Sequence, residues 1–190
     1  MKPAQTACAI VMLVFWLPAQ AIVTCSETNA AVAATTPTTN FVDHGDGTVT
    51  DTTTGLMWMR CPLGKEWHGG TSCVRSANTY SWRWALWVAQ AINSGVSNDD
   101  NDFAAGFAGH TDWRLPNKNE LASIIEERCY SPALNLALFP NVQQPLRFWS
   151  STPFARSANQ AWWVDFAGGE IDTALKTPTG YKVRLVRGGQ

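Results

Sequence analysis

Three histidines, five cysteines and two adjacent serines are the residues of this chain best suited to chemistry. His44, His68 and His110 each sit in a Gly-rich stretch, and neither H-x-x-x-H nor G-x-S-x-G occurs. Ser150 and Ser151 follow Trp149, but a serine nucleophile needs a base, and none stands at a recognisable spacing. Asp43, Asp46 and Asp51 look at first like a cation loop. A calcium hand needs alternating ligands, a glycine at its sixth position and a terminal bidentate glutamate, and none follows, so the segment reads as a hairpin. Asp99, Asp100 and Asp102 read as a solvated acidic turn. The expectation is no metal, no cofactor and no catalytic set.

What the cysteines do depends on the compartment. Lys2 and the apolar run ending at Ala19-Gln20-Ala21 read as an export signal over residues 1–21. The run is too short to cross a bilayer, so no membrane span is expected once the signal is cleaved. Cys25, Cys61, Cys73 and Cys129 then remain, an even number in an oxidising setting, with three possible connectivities. Cys61 and Cys73 bracket "PLGKEWHGGTS", a short loop that a disulfide can close. No C-x-x-C favours zinc, and partners for Cys25 and Cys129 stay open.

The elements that must position any site follow from patterning. Hydrophobic residues make up 45% of the chain, enough for one core, and a net charge of −1 excludes a basic nucleic-acid footprint. Residues 26–40 are small and polar with no large apolar side chain, so 22–40 reads as a flexible linker, with structure starting at Phe41. "FVDHGDGTVTDTTTGLMWMR" reads as three strands joined by turns, one at Asp46-Gly47. Residues 81–95 read as a helix capped by Ser81, ended by Gly95 and buried through Ala85, Val88, Ala89 and Ile92. Its Trp82, Trp84 and Trp87 are assigned to packing.

A second helix, "NKNELASIIEER", opens on a capping box between Asn117 and Glu120. "RFWSST", "QAWWVDF", "EIDTAL" and "YKVRLVR" are strand-like. Alternation sets Trp162, Val164 and Phe166 against Trp163 and Asp165, and pairing register decides which tryptophan faces outward. Val183 and Leu185 alternate with Lys182 and Arg184 in the same way. Strands, two helices, then strands make an α+β domain.

"GDGTVTDTTTGLMW", "FAGHTDWRLPNKNEL", "CYSPALNLALFPN", "FWSST" and "YKVRLVRGG", in that order, resemble the Lcl C-terminal domain family of bacterial exported proteins. The resemblance covers about residues 41–189. It implies a C-type-lectin-like fold over 41–190, two helices packed on short antiparallel strands with long loops. It makes Trp113–Pro116 and the following helix scaffold. The formylglycine-generating relatives of that fold use paired thiols, and no such motif carries over to Cys61, Cys73 or Cys129. The calcium-dependent sugar motifs of C-type lectins are missing too, since "QPL" and "WVD" stand in place of anything like them.

The resemblance places a ligand surface on the C-terminal strands and loops. Residues 143–190 hold Arg147, Arg156, Lys176, Lys182, Arg184 and Arg187 against three carboxylates. A basic face there suits an anionic glycan, because planar guanidinium pairs well with sulfate or carboxylate. Phe154, Arg156, Asn159, Trp163 and Lys176 are the expected ligand-binding residues. The expected function is an exported, non-enzymatic binding or adhesion module for glycans or surface proteins, periplasmic, secreted or at the cell surface. The alternatives are a structural part of the envelope or an appendage and, less favoured, a relative of the formylglycine-generating oxidases.

Overall fold

The computed structural model describes residues 23–96 and 106–188. Residues 1–21, expected to be an export signal, and Asp99, Asp100 and Asp102, expected in an acidic turn, lie outside the described residues. Among the described residues, eleven strands and two α-helices form an α+β domain of small antiparallel sheets. The N-terminal strands β1 (Glu27–Thr28), β2 (Phe41–Asp43), β3 (Thr48–Asp51) and β4 (Leu56–Met59) are followed by β5 (Glu66–His68) and β6 (Ser72–Val74). Then come α1 (Trp82–Ser94), α2 (Lys118–Ala122), β7 (Cys129–Tyr130), β8 (Arg147–Pro153), β9 (Gln160–Asp165), β10 (Glu170–Leu175) and β11 (Val186–Gly188).

The expected triple strand forms as β2, β3 and β4, and β11 closes it in the order β11-β4-β3-β2. All three of its aspartates serve turns or a neighbouring arginine. Asp46 accepts from the Thr48 N–H and hydroxyl, Asp51 from the Thr53 N–H and the Thr54 hydroxyl, and Asp43 from the Gly45 N–H and Arg60. Gly47 is required here. Its φ is +93°, and a Cβ would stand 2.9 Å from the Trp67 side chain.

The second sheet runs β10-β9-β8 and lies between two apolar cores. Phe148, Val164 and Phe166 join Trp58, Leu121 and Ile124 on one side. Trp149, Ala161 and Trp163 join Val88, Ile92 and Trp113 on the other. Cores on both faces bury Ala161, Trp163 and Val164 while Gln160, Trp162 and Asp165 stay partly exposed, so burial in β9 does not follow one simple alternation. The segment 182–185 is corrected for the same reason: Lys182, Val183, Arg184 and Leu185 are all buried.

Helix α1 buries Ala85, Val88, Ala89 and Ile92, and Gly95 ends it at φ +67°. Ser81 stands at its N-cap without a side-chain cap bond. The packing assignment fails for Trp84, which is 54% exposed and touches Trp87 edge-on with ring centroids 5.0 Å apart. Helix α2 has the capping box, but only five residues rather than the expected three turns. Ser123 donates its hydroxyl back to the Glu120 carbonyl, and the chain then turns, so that the buried Glu126 can point toward the N-terminal segment.

Residues 23–40 are not a loose linker. Glu126 accepts from the Thr35 and Thr36 N–H groups, and Asn135 bonds Thr24, Thr36 and Thr38. A Cys25–Cys129 disulfide and the β1–β7 pair complete the attachment. Low apolar content misled the composition argument, because polar bonds and a covalent bridge hold this strap. The expected Cys61–Cys73 disulfide forms, with Cα atoms 5.6 Å apart, and the loop it closes holds the β5–β6 hairpin.

Candidate functional site

The Trp113–Asn117 segment is anchored before it can act. The Asn93 side chain takes the Trp113 N–H at 2.9 Å and donates to its carbonyl at 2.7 Å. Arg114 makes two 2.8 Å bonds to the Glu120 carboxylate and a third to the Gly188 carbonyl. A shallow cleft of about 650 Å³ lies between this segment and α1, lined by Leu86, Gln90, Asn93, Arg114, Glu120 and Ser151. Most of its polar groups already bind one another, so it holds the architecture together. Ser150 is buried, and its hydroxyl donates to the Trp162 carbonyl at 2.8 Å. His44 shares a 2.9 Å bond with Thr50, while His110 packs edge-on near Trp113.

The expected ligand residues fall into two groups. Phe154, Arg156, Asn159 and Lys176 gather at one end of the three-stranded sheet, around the β8–β9 turn and the end of β10. The turn is closed by the Phe154 N–H on the Gln160 carbonyl, and the Lys176 N–H donates to the Asn159 carbonyl at 2.8 Å. Arg156 and Asn159 are exposed, Phe154 and Lys176 half-buried. Trp163 is not among them. It is 7% exposed and packs near Tyr181, because its strand face turns toward α1.

Its neighbour Trp162 takes the surface position. Phe154 meets the Trp162 ring edge-on at 5.5 Å, and the Lys118 ammonium lies 5.2 Å from that ring's centroid. On the other face of the sheet, Lys176 stands 4.2 Å above Trp82, whose indole N–H donates to the Ser150 carbonyl. Each contact places a cation on an aromatic face, which carries negative potential. Sequence reasoning missed Lys118, Trp162 and Trp82. No local signal ties the start of α2 to β9, since the Lys118 N–H reaches Thr152 only through the tertiary fold.

The expected basic face is broken up: of its six cations two are buried and two more are held in ion pairs. Arg147 pairs with Asp165 at 3.2 Å and Arg187 with Asp112 at 2.7 Å. Arg184 is fully buried over the Phe139 and Phe148 rings and donates to the Met59 and Arg60 carbonyls. Burial lowers its pKa to about 9, helped by the nearby Arg60 charge. Lys182, which donates to the Gln143 carbonyl, is lowered to about 8 by burial first and then by Lys65 and Arg184. Arg156 and Lys176 are outside these ion pairs, and the Lys176 ammonium donates to the Ala158 carbonyl at 2.7 Å.

Lys182 leaves a measurable signature. Its folded pKa of about 8 lies below the ordinary 10.5, so between those values the unfolded chain binds more protons. Its burial therefore costs most stability below pH 8, and stability rises as pH climbs through the window. Arg184 adds the same sign at higher pH. Urea midpoints taken across the window should rise for the wild type and rise less for Lys182→Met. Equal slopes would show that Lys182 is not the source.

Among the described residues no three His, Cys, Asp or Glu side chains are grouped to hold a metal ion. No described helix is long and apolar enough to cross a membrane. No curated protein matches the chain significantly. The family model of the Lcl C-terminal domain matches residues 47–187, from the turn before β3 into β11, and the chain belongs to that family.

Proposed function

We propose that this protein is an exported, non-catalytic binding module with a C-type-lectin-like fold. Its ligand surface is the aromatic and cationic end of the three-stranded sheet, and its ligand class is acidic glycans. The observation that carries the reading is the cluster of Phe154, Trp162 and Lys118 beside the exposed Arg156. Neither Lys118 nor Arg156 belongs to an ion pair among the described residues. Flat rings suit the C–H faces of a sugar, and unpaired cations suit its carboxylate or sulfate groups. The two disulfides support an oxidising compartment.

The test is a screen against acidic and neutral glycans and candidate surface proteins, followed by affinity measurements. Trp162→Ala should weaken binding about thirtyfold, the scale of a central aromatic contact. Lys118→Ala/Arg156→Ala should weaken it and flatten its salt dependence, since exposed charges are screened within about 8–10 Å near physiological salt. A glycan bound equally by all three proteins would move the site elsewhere. Binding only to a protein would replace the ligand class.

A further inference from the structure

Strand β10 is the outer strand of its sheet, and nothing among the described strands pairs with its far edge. The hydrogen-bond parity of that edge can be read directly. The Lys176 N–H points inward to the Asn159 carbonyl, so the main-chain groups of Ala174, Asp172 and Glu170 also face β9. Those of Ile171, Thr173 and Leu175 face outward. In agreement, the Thr173 N–H is taken not by β9 but by the Asp172 side chain at 2.7 Å.

Natural edges are usually blunted by proline, lysine or a covering loop. The Glu170–Leu175 stretch has no proline or lysine, and it exposes Ile171 (42%) and Leu175 (54%). Both share a sheet face with Thr173 and lie beside Trp162, which pairs with Thr173.

We propose that two copies of this chain associate edge to edge through β10, antiparallel about a two-fold axis at Thr173, joining their sheets into one of six strands. In that register Thr173 faces itself, Ile171 faces Leu175, Asp172 faces Ala174 and Glu170 faces Lys176. Threonine pairs, apolar pairs and opposite charges are the combinations that stabilise antiparallel neighbours. Neither Glu170 nor Lys176 has an ion-pair partner within the chain among the described residues, and this register gives each one.

The nearby registers are worse. An axis at Asp172 sets two carboxylates opposite each other, and an axis at Ala174 carries Ile171 past the end of the opposing strand. Axes between residues would oppose an inward-facing group with an outward-facing one. On association the Thr173 N–H exchanges its bond to Asp172 for the carbonyl of Thr173 in the other copy. The proposal does not depend on the glycan reading, because it concerns self-association.

Sedimentation velocity of the mature, disulfide-intact protein over a concentration series tests it. The expected result is a monomer–dimer equilibrium. Thr173→Pro should abolish the dimer with near-UV circular dichroism unchanged, since an outward-facing edge position tolerates proline. Glu170→Lys should weaken association about tenfold by opposing like charges, and Glu170→Lys/Lys176→Glu should restore it. The charge variants decide independently of how well the proline variant folds. A monomer at every concentration, a dimer that survives Thr173→Pro in the folded protein, or a double variant as weak as Glu170→Lys would each overturn the proposal.

Discussion

Loss of the Cys25–Cys129 disulfide is expected to lower the melting temperature by about 10–15 °C, more than loss of Cys61–Cys73. The two bridges span 104 and 12 residues. In the chain-entropy account a crosslink restricts the unfolded ensemble more as its loop lengthens, giving about 4–5 kcal/mol for the long loop and about 3 kcal/mol for the short one. For a domain of this size each kcal/mol moves the midpoint by about 2–4 °C. Calorimetry of Cys25→Ala/Cys129→Ala beside Cys61→Ala/Cys73→Ala, against the wild type, reads the difference. If the short loop proves the more important, native-state geometry rather than loop closure dominates.

Glu126→Ala is expected to cost about 3–4 kcal/mol. The carboxylate is wholly buried and accepts from the N–H groups of Thr35, Thr36 and Arg128 and from the Thr36 hydroxyl, at 2.7–3.1 Å. Each buried donor stripped of its acceptor costs about 1–3 kcal/mol, and alanine offers no replacement. Glu126→Gln should be nearly as damaging, because its amide presents a donor to donors. Hydrogen exchange should show lost protection at Thr35 and Thr36 while the α1 interior keeps its own. A variant with wild-type urea stability and unchanged exchange at both threonines would remove Glu126 from this role.

The parts of the fold governed by local chemistry were legible. The Asp46 turn, the capping box of Asn117 and Glu120, the αL glycine after α1 and the short disulfide are all set within a dozen or so residues. What was not legible depends on contacts remote in sequence. The strap over 23–40 looked featureless because its partners, Glu126, Cys129 and Asn135, lie some ninety residues or more away. Trp163 stood among the expected ligand residues while alternation left open which tryptophan faces outward, because it fixes relative but not absolute facing; the fold buries Trp163 and leaves Trp162 partly exposed. The count of C-terminal cations was correct as arithmetic and misleading as a surface. Arg184 and Lys182 lie in the buried 182–185 segment ahead of β11, where their heads bond main-chain carbonyls rather than solvent.

The strap also decides how the domain answers tension. Ser131 and Ala133 hang from the Ala167 and Phe166 carbonyls, so Cys129 sits near the β9–β10 turn. The turn that carries Phe154 occupies the other end, and the six residues of β9 span about 20 Å. A pull on the chain ahead of Cys25, resisted at the aromatic end, therefore runs nearly the length of the sheet. It enters through a covalent sulfur–sulfur bond rather than through the two-residue β1–β7 ladder. With that bond oxidised, the strap cannot peel, and the force needed to open the domain is set by the β8–β9–β10 sheet. With the bond reduced, the same pull meets only the Thr24 bonds to Asn135 and Leu136 and then Glu27 and Thr28, and the domain would lengthen in small early steps before the sheet felt any strain.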